Sequence, residues 1–124
     1  MVENRKINPW TWQNQFGFSQ AIETTGHTRV LRCAGQTSVN AEGEPIHDGD
    51  MAAQIAQALD NLETVLQAAD MALANVVRLN LYVTDIDAAL ENWLYVTERG
   101  NRPLIGVART VSQSTPQWSS RRSR

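Results

Sequence analysis

A single cysteine, Cys33, in a chain of 124 residues excludes an intramolecular disulfide and fits a reducing compartment. Long apolar runs are missing as well. No stretch approaches the roughly 18 residues that suggest a membrane span, and the N-terminus has no signal-peptide core. A cytoplasmic location without membrane contact is the expectation. Neither sign of charge dominates, since 11 basic and 13 acidic residues leave a net charge of −2, so no global field points to nucleic acid or lipid. Cys33, His27 and His47 show no metal-ligand spacing, and no carboxylate follows Glu98. A chain of this length is one domain with little core to spare.

What is present is centred on Asp50 to Ala69. Met51, Ile55, Leu59, Leu62, Val65, Leu66 and Ala69 recur at spacings of three and four, which puts them on one stripe of an α-helix. Gln54, Gln57, Asp60, Asn61, Glu63 and Gln67 fill most of the other side. Asp50 is suited to the N-cap, because its carboxylate can accept amide hydrogens of the first turn and favours the positive end of the dipole. At about 1.5 Å per residue this rod is about 30 Å long, and its apolar face needs a sheet to lie on.

The flanking segments should supply that sheet. Residues 1–16 carry Pro9, Trp10 and Trp12 without a sustained period and read as an edge segment with half-buried indoles. Val30, Leu31, Cys33 and Ala34 read as a short buried strand, with a hairpin hinged at Thr25–Gly26. Gly43, Pro45 and Gly49 punctuate a loop leading to the helix. Beyond the helix, Asn75 to Val83 alternates, with Val77, Leu79, Leu81 and Val83 on one face and Arg78, Asn80 and Tyr82 on the other. A strand, a crossover helix and a second strand should form a right-handed unit with parallel strands. A second helix is expected from Asp87 to Arg99, with Leu90, Leu94 and Trp93 inward, ended by Gly100 and Pro103. Leu104 to Ala108 reads as another strand. Residues 110–124 hold one aliphatic residue, Val111, with Pro116 and a cluster of Ser and Arg, so a poorly ordered tail is expected after a single domain spanning 1–109.

Three pieces of the chain occur in a telling order: Phe18-Ser19-Gln20-Ala21, then Ala34-Gly35-Gln36 after a strand, then the run from Ile55 through Asp85. Together they resemble the Rid family of reactive-intermediate (enamine/imine) deaminases, the RidA/YjgF type, with its Tyr-Ser-Gln-Ala, its Ser-Gly-Gln and its helix–loop–strand centre. The likeness covers residues 17 to 109. It implies an α+β fold of two layers, a mixed β-sheet backed by two helices on one face, of the chorismate-mutase-like kind. It also implies a homotrimer whose sheets form an inner barrel, with a pocket for a small-molecule carboxylate ligand at each cleft between subunits. The chemistry implied is hydrolysis of 2-aminoacrylate-type enamines and imines to 2-oxo acids and ammonia, as by a 2-iminobutanoate/2-iminopropanoate deaminase, with no cofactor.

The resemblance assigns residues. A small anionic imine calls for a guanidinium on its carboxylate, and Arg102 stands where the deaminating branch carries that arginine. A second alignment is open, in which this chain has lost a few residues relative to another branch and Arg102 is a loop residue. Phe18 replaces a tyrosine whose hydroxyl touches the ligand in deaminating members, keeping the apolar wall and losing the hydrogen bond. Gly35 would let its backbone approach a ligand closely, and Asn92 matches a family asparagine across a one-residue gap.

The family closes with an acidic residue that positions or activates the water, whereas here that place holds Gln117-Trp118-Ser119-Ser120. One hypothesis is that the end is read out of frame, because its Ser, Arg, Gln, Thr and Pro suit a misread GC-rich stretch; sequencing an intact frame in the coding DNA would remove it. Arg121, Arg122 and Arg124 lack interleaved aromatics, which argues against a nucleic-acid arm. Two functions stand side by side: a Rid-type deaminase, and a non-catalytic 2-oxo acid binder that keeps the cleft without the water-activating acid.

Overall fold

Asp50 caps the central helix as its position in the sequence suggests. Its carboxylate accepts the Ala53 N–H at 3.1 Å, and α1 runs Met51–Ala68. At the far end Asp70 adopts a positive φ of 57°, and the Met71 N–H then donates back to the Leu66 carbonyl at 2.8 Å, which satisfies an orphan acceptor of the last turn. The computed structural model describes residues 3–99 and 103–109. Gly100 and the expected tail at 110–124 lie outside the described residues.

Four strands and two further helices accompany α1. β1 (Glu3–Ile7) and β2 (Ala21–Thr25) pair antiparallel, with Glu3 opposite Thr25 and Ile7 opposite Ala21. β3 (Arg78–Val83) and β4 (Leu104–Arg109) pair parallel from Arg78 opposite Leu104 to Val83 opposite Arg109, joined through α2 (Ile86–Glu91) and α3 (Trp93–Arg99). Among the described residues no helix is long and apolar enough to cross a membrane.

The α+β class stands, but the single mixed sheet resolves into two separate two-stranded ladders. The stretch expected as a strand, Val30 to Ala34, belongs to neither ladder. Its apolar side chains find no face to cover, and Val30 is 66% exposed. The hairpin hinged at Thr25–Gly26 is therefore replaced by the pairing of β2 with β1, a strand the irregular sequence of residues 1–16 did not announce. The parallel pair likewise belongs to the next unit along the chain, with α2 and α3 as its crossover rather than α1. Each ladder leaves both of its outer edges unpaired within the described residues.

The core lies between α1, α3 and one face of β3. Ile55 and Leu59 of α1 meet Val96 of α3, with Met51 and Leu79 against them. One turn on, Leu62 and Leu66 close over Leu73, with Met71, Val76 and Leu79 packed alongside. Leu79 touches both clusters, so the helices sit on the Leu79 side of the ladder. Burying each such leucine contributes about 1.5–3 kcal/mol. Val65 is a correction to the expected stripe, because it sits at the stripe's border and is exposed.

The second helix is corrected more substantially. It breaks at Asn92, whose side-chain amide donates to the Ala88 carbonyl at 2.9 Å while Asp85 caps the first half by accepting from the Ala88 N–H at 3.1 Å. Along both halves Ala89, Val96 and Thr97 are buried, and Leu90 and Leu94, expected inward, face outward. Arg99 then ties α3 to α1. Its guanidinium lies 2.9 Å from Asp60 and 3.9 Å from Glu63, and it also donates to the Ala56 carbonyl and the Tyr95 hydroxyl. Burial alone would lower its pKa, but the hydrogen bonds to Tyr95 and Asp60 and the charge of Asp60 outweigh that, and the net direction is upward.

Candidate functional site

The segment between β1 and β2 shapes the site. Thr11 to Gly17 winds through a 3-10 turn, Trp12–Phe16, ended by Gly17 at φ 74°, a left-handed conformation that favours glycine. Gly17 is needed for a second reason, since a Cβ there would stand 2.5 Å from the Thr97 Oγ1. The turn is docked on α3 at this contact and through the Trp93 indole, which donates to the Phe16 carbonyl. Gln13, entirely buried, holds the turn from inside: its amide donates to the Trp10 carbonyl at 2.6 Å, and its oxygen accepts from the Gln20 side chain.

This docking delivers Phe18, Ser19 and Gln20 to the ends of β3 and β4. There they line an open cleft of about 230 Å³ together with Arg78 and Leu104. Phe18 forms one wall and is braced edge-on by Trp12, with ring centroids 5.8 Å apart, an arrangement aromatic pairs favour. Arg78 and Leu104 are register partners, so they stand side by side on the ladder. Arg78, Asn80 and Tyr82 are exposed while Leu79, Leu81 and Val83 turn inward, which puts the cleft on the side away from α1. The Arg78 guanidinium forms no ion pair or hydrogen bond among the described residues.

Of the residues singled out from the sequence, Phe18 is in the cleft. Gly35 is elsewhere, in the exposed segment before α1, with nothing within 4 Å of where a Cβ would stand. Asn92 sits at the α2–α3 break with its amide on the helix backbone. Arg102 lies outside the described residues, two positions before the cleft residue Leu104. Trp10 and Trp12, expected half-buried, are more than half exposed, because the 3-10 turn carries them off the sheet. Sequence reasoning passed over Arg78, Ser19, Gln20 and Leu104. The alternation of β3 did place Arg78 on the outer face, and a count of cations on that face would have found it.

The family model described as Endoribonuclease L-PSP matches residues 12–110, which includes the turn, the cleft and every helix. The chain belongs to the Rid (RidA/YjgF) family. The Rid protein YyfB of Yersinia pestis has a solved structure that matches this one with a TM-score of 0.77 at 33% identity, covering 92% of this chain and 90% of that one. A RutC family protein of Pyrococcus horikoshii is 32% identical over 97 residues, 77% of this chain and 75% of its own length. Rv2704 of Mycobacterium tuberculosis, of the YjgF/YER057c/UK114 family, shares the fold at a TM-score of 0.54 and 24% identity. Rid membership thus rests on the same segment that builds the cleft, and the family's Tyr-Ser-Gln-Ala position is Phe18-Ser19-Gln20-Ala21 here.

Proposed function

We propose that the cleft binds a small 2-imino or 2-oxo carboxylate and that the chain acts as a Rid-type deaminase. The observation that carries this reading is the meeting of Phe18 with Leu104, two residues far apart in the chain, at a cleft with a guanidinium on its rim. In the reaction, water adds to the carbon of the C=N bond. The tetrahedral adduct then expels ammonia, leaving a 2-oxo acid. Phe18 and Leu104 supply apolar walls for the short side chain. Arg102 is assigned the carboxylate, and Gly35 and Asn92, which do not line this cleft within one chain, are assigned to the site through a neighbouring copy of the proposed trimer. The assembly proposed is a homotrimer in which sheets of three copies meet, in the cytoplasm, and the exposed Ile7, Trp12, Phe16 and Tyr82 are apolar surface that such an assembly would cover.

The test is ammonia release from freshly generated 2-iminopropanoate and 2-iminobutanoate. Turnover above the buffer rate that is lost in Arg102→Ala supports the proposal, and a wild-type rate equal to buffer rejects it.

A second reading has its own observation. None of Phe18, Ser19, Gln20, Arg78 and Leu104 carries a carboxylate or imidazole, and general-base catalysis needs such a group within hydrogen-bond reach of the water. On this reading the protein binds 2-oxo acids without turning them over. Thermal stabilisation by a 2-oxo acid with no ammonia released would select it.

A further inference from the structure

We propose that Arg78 is a specificity-determining residue of the cleft, supplying a cation that selects anionic over neutral ligands. The inference rests on the reading of the cleft as the ligand site, and it adds a residue that the family resemblance does not assign.

Arg78 is the only ionisable side chain among the described residues lining the cleft, which it shares with two apolar walls, a hydroxyl and an amide. The acidic side chains that form ion pairs among the described residues do so with other cations: Glu23 with Arg5, and Asp60 and Glu63 with Arg99. With no acceptor on Arg78 among the described residues, a ligand carboxylate has no anion of theirs to displace. The guanidinium fork can meet two carboxylate oxygens at once. Phe18, which lines the same cleft, adds an apolar surface, and a less hydrated contact strengthens an ionic hydrogen bond relative to open solvent. Leu104, adjacent to Arg78 in the ladder, leaves an apolar surface for the rest of a short ligand. The class selected is therefore a compact monocarboxylate with an apolar end. Because Arg78 bridges no other described residues, its role in binding separates from any role in folding.

Titration calorimetry on the full chain tests this with 2-oxobutanoate and its neutral analogue butan-2-one. Wild type should prefer the anion, and its affinity should fall as sodium chloride is raised. Arg78→Gln should weaken 2-oxobutanoate roughly 10- to 100-fold, the scale of one charged hydrogen bond, while butan-2-one and the urea unfolding midpoint are unaffected. Arg78→Lys should recover part of the loss. Equal affinity of wild type and Arg78→Gln overturns the inference, as does failure of wild type to bind 2-oxobutanoate at millimolar concentration. Failure of the deaminase reading looks different: no ammonia is released, yet anion binding persists and depends on Arg78. Turnover with binding indifferent to Arg78 is the converse result and sinks this inference alone.

Discussion

Gly17→Ala is the substitution that most directly probes how the site is held. Two independent costs arise at one residue. The left-handed backbone, φ 74° and ψ 23°, disfavours an L side chain by about 1–2 kcal/mol. Alanine's smaller loss of unfolded-state freedom returns about 0.4–1 kcal/mol of that. The second cost is steric, since the new Cβ would lie 2.5 Å from Thr97 Oγ1 and 3.0 Å from its Cβ. Thr97 is 1% exposed, and its hydroxyl donates to the Leu94 carbonyl at 3.0 Å, so it cannot swing away without breaking that bond. Overpacking of this kind costs about 1–3 kcal/mol. The net expectation is a loss of about 1–5 kcal/mol in urea unfolding with an unchanged m-value. In a Thr97→Ala background the nearest clash is gone, and the same substitution should cost about 1 kcal/mol less. Because Phe18 follows Gly17 directly, 2-oxobutanoate affinity should fall as well. A cost below about 1 kcal/mol in wild type, or an identical cost in both backgrounds, would refute the claim that the turn is seated on α3 at this point.

Other perturbations reach different links. Asp50→Ala removes the α1 cap and should cost about 1 kcal/mol by urea unfolding, with Asp50→Asn retaining most of the stability. Leu66→Ala should cost about 2–5 kcal/mol, whereas Val65→Ala, one position away but exposed, should stay within about 1 kcal/mol. Arg99→Met should destabilise by about 1–3 kcal/mol, because it leaves Asp60 and the Tyr95 hydroxyl without their partner. Since the folded-state pKa of Arg99 is raised, its contribution is complete at any pH below the ordinary arginine value and is lost only above it. The cost of Arg99→Met should therefore be the same at pH 6 and pH 9, and unfolding curves at both check this. Phe18→Tyr places a hydroxyl in the cleft and should tighten 2-oxobutanoate binding, measured by calorimetry.

Local signals carried α1 almost unaided. Asp50, the spacing of Ile55, Leu59, Leu62 and Leu66, and the alternation from Arg78 to Val83 are set by neighbours within a turn or a pleat and formed as read. The strand expected from Asn75 starts only at Arg78, however, and Val77, expected inward, is exposed. What failed depended on distant partners. Val30 to Ala34 has a strand's composition but no strand beside it, and β1 has little apolar content yet pairs because β2 returns alongside. The inward face was assigned to Leu90 and Leu94, but the smaller Ala89, with Val96 and Thr97, is the side that packs inward. Within the site, Phe18 was legible through the Phe-Ser-Gln-Ala motif. Arg78 and Leu104 were not, because only the register of β3 against β4 brings them next to each other and to the turn.

The open margins of the two ladders carry a consequence for handling the protein. Among the described residues four strand edges are left without a strand partner, and β3 carries a tyrosine, Tyr82. Such margins accept any strand that arrives, whether the intended neighbour or a misaligned copy. Recovery from denaturant should then depend on how often chains collide before their margins are covered, with slow dilution giving clear solutions and rapid concentration giving precipitate.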